Sequence, residues 1–164
     1  MTVDIREMTL DDYDAAAALW ETSEGVGLHR DAEDSRDGIG RLLERNPGLS
    51  FVASDGDELI GTVVGSQDGR RGYLRHLAVA SSRRRHGIGR ALVGRCLAAM
   101  KKAGLRRCNL HVFEGNTAAR AFWESLGWAG RGDILYMSGP TEPETGRLSL
   151  ADVLRKGKEC QETN

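Results

Sequence analysis

The chain has 164 residues, long enough for one domain with its own core, and its apolar and charged fractions are those of a soluble globular protein. A net charge of −1 argues against a general nucleic-acid binder, and no window approaches the roughly 18 apolar residues of a membrane span. The N-terminal "MTVDIREMTL" carries acids and no apolar run, so it does not read as a signal peptide. Cys96, Cys108 and Cys160 are odd in number and lack metal-ligand spacing, so we expect free thiols, no metal and a cytoplasmic setting, with no nucleic-acid or membrane partner.

Residues 2–7 alternate Val3 and Ile5 with Asp4 and Arg6, the pattern of a strand. Thr9 is suited to cap a helix that runs through "YDAAAALW" to about Thr22. "SEGVGLHRDAEDS" is a glycine- and acid-rich loop, a second helix over 34–45 carries Ile39, Leu42 and Leu43, and "NPG" ends it. Strands are predicted over 50–54, 58–66 and 72–80, joined by the tight turns "DGDE" and "QDGRRG". Ile88, Leu92, Cys96 and Met100 then recur at helical spacing over 87–103, with Lys101 and Lys102 near the end and Gly104 closing it. "RRCNLHVF" reads as a fifth strand, Asn116 as the cap of the helix "TAARAFWESL", and Gly127 as its stop. "WAGRGDILYMS" supplies one or two last strands. Residues 140–164 change character after "GPTEPETG" and read as a charged, loosely packed tail behind a domain of residues 1–139.

Short turns make the early strands antiparallel, whereas the fourth strand, its helix and the fifth strand form a βαβ unit and must be parallel. We therefore expect an α/β fold: a mostly antiparallel, twisted mixed sheet of six to seven strands with helices on both faces. A ligand is expected near the carboxyl end of the fourth strand, where a glycine-rich turn opens the helix.

That turn reads "SSRRRHGIGR". Its cations stand at a helix N-terminus, the end that repels them. Two readings fit: a solvated basic surface on an ordinary turn, or a site where glycines, bare amides and the guanidinium groups of Arg83, Arg84, Arg85 and Arg90 meet an anion. It is not a Walker A loop, because no Gly-Lys-Ser/Thr follows, and the first strand does not lead into it as in a Rossmann unit.

Arg84-x-x-Gly87-x-Gly89, entered from "LAV" (77–79), resembles the acyl-CoA-binding signature of the GNAT superfamily of N-acetyltransferases, and "NTAARAFWESLGW" (116–128) resembles that superfamily's Asn-x-x-Ala…Phe-Tyr-Glu-x-x-Gly-Phe segment. The resemblance covers about residues 2–138. It implies acetyl-CoA as cosubstrate and direct transfer of the acetyl group to a primary amine of a small molecule or protein. The turn, including Arg84, Arg85, His86, Gly87, Ile88, Gly89 and Arg90, would hold the pyrophosphate. The pantetheine arm would lie along Leu77, Ala78 and Val79, between fourth and fifth strands that splay apart, with Asn116 and Trp123 on the facing helix. Family members are often dimers, so a homodimer is one expected assembly.

The chemistry beyond the cofactor leaves alternatives open. The superfamily usually carries a tyrosine as general acid where this chain has Trp123, whose indole can donate but not protonate. Trp123 thus reads as packing beside Phe122, and Tyr136 on the last strand is the substitute acid or a plain strand aromatic. His111 on the fifth strand is the candidate base, weighed against a satisfied histidine on a sheet face. Alternation places Tyr73, Arg75 and Leu77 on one face of the fourth strand and Leu74, His76 and Ala78 on the other. By the resemblance Tyr73 and Arg75 would face the acceptor and His76 would be structural. Glu24, near Trp20, Glu21 and Asp31, would meet an ammonium, as would Glu114, against a bland reading as solvated acids. The alternative to an enzyme is a non-catalytic acyl-CoA sensor, which the substitution at Trp123 keeps in view.

Overall fold

The computed structural model describes residues 3–28 and 33–139. Its chain divides into two units, Met1–Trp128 and Ala129–Asn164. In the first, strand β1 (Val3–Glu7) is followed by a 3-10 turn (Leu10–Asp12) and helices α1 (Tyr13–Glu21) and α2 (Arg36–Arg45). Strands β2 (Phe51–Asp55), β3 (Glu58–Gln67) and β4 (Gly72–Val79) come next, then a 3-10 turn (Ser81–Arg83), helix α3 (Ile88–Lys102), strand β5 (Cys108–Leu110) and helix α4 (Thr117–Ser125).

Among the described residues the sheet has five strands in the order β1-β2-β3-β4-β5. Neighbours are antiparallel except β4 and β5, which are parallel as the βαβ unit requires. The expectation of six to seven strands is corrected to five. No strand forms among the described residues of the second unit, 129–139, where Gly130, Gly132 and Gly139 flank a short apolar run. Ile134, Leu135, Tyr136 and Met137 there are exposed. The tail at 140–164, with Cys160, and Asp31 lie outside the described residues.

Each face of the sheet buries its own core. On one, α3 presents Ile88, Leu92, Val93, Cys96 and Met100 at helical spacing to Phe51, Ala53, Val63 and Leu74. On the other, Tyr13, Ala16, Ala17 and Trp20 of α1, with Ile39 of α2, cover Val52, Val64 and Ala78. Caps set the helix starts. Asp12 accepts from the Thr9 amide at 2.9 Å and takes a bidentate contact from Arg6 at 2.6 and 2.8 Å, which holds its carboxyl below the usual range. Ser35 Oγ accepts from Gly38 N–H at 3.1 Å to begin α2. Cys96 is a buried free thiol donating to Leu49 O at 2.9 Å, and burial pushes it up to about 12.

Two details of β4 position everything that follows. Its pairing with β5 covers only Gly72–Leu74 against Cys108–Leu110, so from Arg75 onward its outer edge has no strand partner among the described residues. Its register with β3 also slips: Val64 faces Arg75 but Thr62 faces Ala78, so Val63 stands opposite the two residues His76 and Leu77. This is a β-bulge, and His76 lies in it with φ +48°.

Candidate functional site

The bulge overturns the simple alternation expected along β4. Leu74, Leu77 and Val79 all pack toward the α3 core, while Ala78 lies in the core of α1 and α2 and the His76 ring packs at a tilt against Trp20. The amides follow the same shift. Before the bulge, Gly72 N–H donates to Arg107 O at 2.9 Å, so the amides of positions 72 and 74 turn toward β5. After it, Ala80 N–H donates to Ile60 O at 2.9 Å, so positions 78 and 80 turn toward β3 and Leu77 and Val79 turn to the open edge.

The glycine-rich turn lies at the end of that edge. Gly87 precedes α3 with φ +79°, and Arg85 has φ +64°. A Cβ at Gly87 would touch nothing within 4 Å, so the left-handed backbone alone calls for glycine there. The first i→i−4 bond of α3 is Ala91 N–H to Gly87 O, which leaves the amides of Ile88, Gly89 and Arg90 before the ladder. The first turn of α3 holds no acid, and the side chains of Arg85, His86 and Arg90 are exposed around it. These features make a cationic helix N-terminus suited to an anion.

The arginines have different roles. Arg83 is committed to the β2–β3 turn, 3.1 Å from Asp55 Oδ2 and 3.2 Å from Glu58 Oε2, and so departs from the expected group of anion donors. Arg84 Nε–H donates to Val79 O at 3.1 Å, which places its guanidinium on the open edge of β4. Arg84 O lies 2.8 Å from His86 Nδ1.

Across the edge stands α4. Asn116 caps it, Oδ1 accepting from Ala119 N–H at 2.9 Å. A Cβ on Gly25 would overlap Asn116 Nδ2, and one on Gly27 would lie 2.9 Å from Phe113, so the segment after α1 rests directly on the loop before α4. A cavity of about 310 Å³ opens there, lined by Glu24, Gly25, Gly115, Asn116, Thr117 and Ala118. It brings the expected acceptor residue Glu24 and the expected cofactor residue Asn116 together. A larger groove of about 530 Å³ lies at the far end of α3, around Met100, Leu105 and Cys108, away from the turn.

Other expected residues stand apart. Trp123 is buried, edge-on to Phe122 and 5.1 Å from both its ring and that of Trp128. His111 is an exposed residue beyond β5 rather than on a strand. The β4–β5 ladder ends at Leu74 and Leu110, just before the bulge, and residues 111–113 run on beyond it. Tyr136, expected on a last strand, belongs to a stretch without one and is exposed. Tyr73 turns its hydroxyl to Asp68 Oδ2 at 2.9 Å, which raises the phenol, and Arg75 is exposed.

Sequence reasoning missed the group behind the bulge. His76 Nε2 lies 3.0 Å from Asp34 Oδ1, with both side chains more than nine-tenths buried. The approach has ion-pair length but not hydrogen-bond direction, and neither ring nitrogen has a directed partner among the described residues. Burial pulls the His76 pKa below 6.5 despite the opposing pull of Asp34, so the ring is neutral near pH 7. No pattern of residue types marks this cluster, because it depends on a left-handed histidine.

An α/β unit with a mixed sheet opened at one parallel pair, and a glycine-rich turn heading the helix between them, defines the class. The chain matches the model of the Acetyltransferase (GNAT) family over residues 8–128, and it belongs to that family. It is 34% identical over 124 residues to an acetyltransferase of Pectobacterium atrosepticum, covering 76% of this chain and 86% of that one. It is 30% identical over 135 residues to an acetyltransferase of Sodalis glossinidius, covering 82% and 93%. Among solved structures, the aminoglycoside N-acetyltransferase AAC(6')-Iy, bound to a bisubstrate analogue of CoA and acetylneamine, has the same fold at a TM-score of 0.69 and 19% identity, covering 85% and 99%. The PaiA N-acetyltransferase of Thermoplasma acidophilum in complex with coenzyme A matches at 0.67 and 20%, covering 77% and 89%.

Proposed function

We propose that the protein transfers the acetyl group of acetyl-CoA to a primary amine of a small molecule or protein. The observation that carries this reading is the alignment of the open-edge amides of Leu77 and Val79 with the acid-free N-terminus of α3. An extended chain can hydrogen-bond along the first as an added strand, while its phosphates meet the second. Arg84, Arg85 and Arg90 neutralise the phosphates. Arg84 exchanges its bond with Val79 O for one with the ligand.

Glu24 attracts an ammonium into the cavity beside Asn116. His111 takes the proton that the ammonium must lose before its nitrogen attacks the thioester carbon. The new C–N bond forms as the C–S bond breaks, and the departing thiolate takes a proton. Trp123 offers no phenol for that step and is spent on packing, so water or the ammonium itself supplies the proton.

The test is release of free CoA thiol from acetyl-CoA against a panel of amines. Turnover on an amine supports the enzyme. CoA binding with no turnover on any amine refutes it in favour of an acyl-CoA sensor, the second reading that the buried Trp123 sustains. His111→Gln is expected to slow turnover and leave CoA affinity unchanged; unchanged turnover removes His111 as base.

A further inference from the structure

The bulge in β4 is held from behind by residues with no place in the cofactor site. His76 carries φ +48°, a region costly for residues with a Cβ and visited mainly by asparagine, aspartate and histidine. Such a conformation persists only where the surroundings over-determine it. Here they do so through both the backbone and the ring. His76 O accepts from Thr62 Oγ1 at 2.8 Å, and the same hydroxyl accepts from Trp20 Nε1–H at 2.8 Å. The Trp20 indole lies over the imidazole with centroids 4.6 Å apart, and Asp34 Oδ1 stands 3.0 Å from Nε2. Tyr13 closes the ring of contacts by donating to Asp34 O at 2.9 Å.

Thus α1, the start of α2, β3 and β4 are all clasped at one residue. Trp20 and Thr62 are at most 1% exposed, so the clasp has little room to relax. Without the extra residue at the bulge, the alternation set at Gly72 would carry the amides of 76 and 78, not 77 and 79, to the open edge.

We propose that His76 is a positioning residue for the cofactor strand: clasped by Asp34, Trp20 and Thr62, it holds the left-handed kink that turns the Leu77 and Val79 amides to the open edge. The inference rests on the reading that this edge receives the pantetheine arm. It also ties the segment leading into α2, on the expected acceptor side, to the strand that presents the cofactor.

Two ligands separate this role from general destabilisation. CoA has a pantetheine arm. 3′-Phosphoadenosine 5′-diphosphate carries the same phosphates without it and depends on the turn alone. Calorimetric titration of His76→Ala is expected to show CoA affinity down by about tenfold or more, with the nucleotide within about twofold of wild type. His76→Gly, which adopts φ +48° freely, is expected to bind CoA more tightly than His76→Ala. Thr62→Val, similar in volume but lacking both hydroxyl bonds, is expected to show the same split and serves if His76→Ala does not fold.

Unchanged CoA affinity overturns the proposal. So does equal weakening of both ligands, or glycine no better than alanine. Wild-type protein that binds neither compound overturns the reading of the cofactor site itself, and this inference with it.

Discussion

Gly87→Ala tests the turn with a built-in control. At Gly87 a Cβ meets nothing within 4 Å, so the substitution adds no clash, and its cost is that of φ +79° for an L-residue. That cost is about 1–2 kcal/mol. Gly104, beyond the other end of α3, has φ +82° and the same empty surroundings. Gly104→Ala therefore carries the same penalty about 22 Å away, the length of a 15-residue helix. Urea unfolding should show both variants destabilised by about 1–2 kcal/mol. Calorimetry should show CoA affinity lowered by about 5–30-fold in Gly87→Ala alone, if the turn re-aims its amides to relieve the strain. Equal losses of affinity in the two variants, or none in Gly87→Ala, would refute the claim that the Gly87 conformation aims the α3 amides at the ligand.

Burial lowers the His76 pKa, so the native state resists the proton that the unfolded chain accepts. Stability is therefore full above about 6.5 and declines as pH falls from there toward the native pKa; His76→Asn should flatten that part of a urea-midpoint profile. Burial raises Cys96 to about 12 and Cys108 to about 11, so peptide mapping after iodoacetamide at pH 8 should find both thiols unlabelled until urea is added. Glu24→Gln should raise the KM for a cationic amine by about tenfold and leave CoA affinity unchanged, because Glu24 lines the cavity but not the turn; an unchanged KM assigns the acceptor elsewhere.

The order of elements through α4 was legible because hydrophobic period, caps and tight turns agree locally. The α3 face, helix α2 (Arg36–Arg45) and the parallel β4–β5 pair all follow from such signals. The turn was legible for the same reason: glycines, a helix start and cations coincide in one stretch. The faces of β4 were not, since alternation assumes an unbroken ladder and the bulge at His76 breaks it. The β4–β5 ladder ends just before that bulge, and His111 lies beyond it. Nor could the roles of the arginines be separated by composition, because Arg83 and Arg84 are neighbours whose partners, Asp55 and Val79, come from different strands.

The most direct measurement is a titration of isotopically labelled protein with CoA, followed by backbone amide resonances. The amides of Leu77, Val79, Ile88, Gly89 and Arg90 are expected to shift first and furthest, with those of Leu77 and Val79 becoming protected from exchange. Shifts confined to the groove around Met100, Leu105 and Cys108, with β4 and the turn unmoved, would contradict the proposed cofactor site.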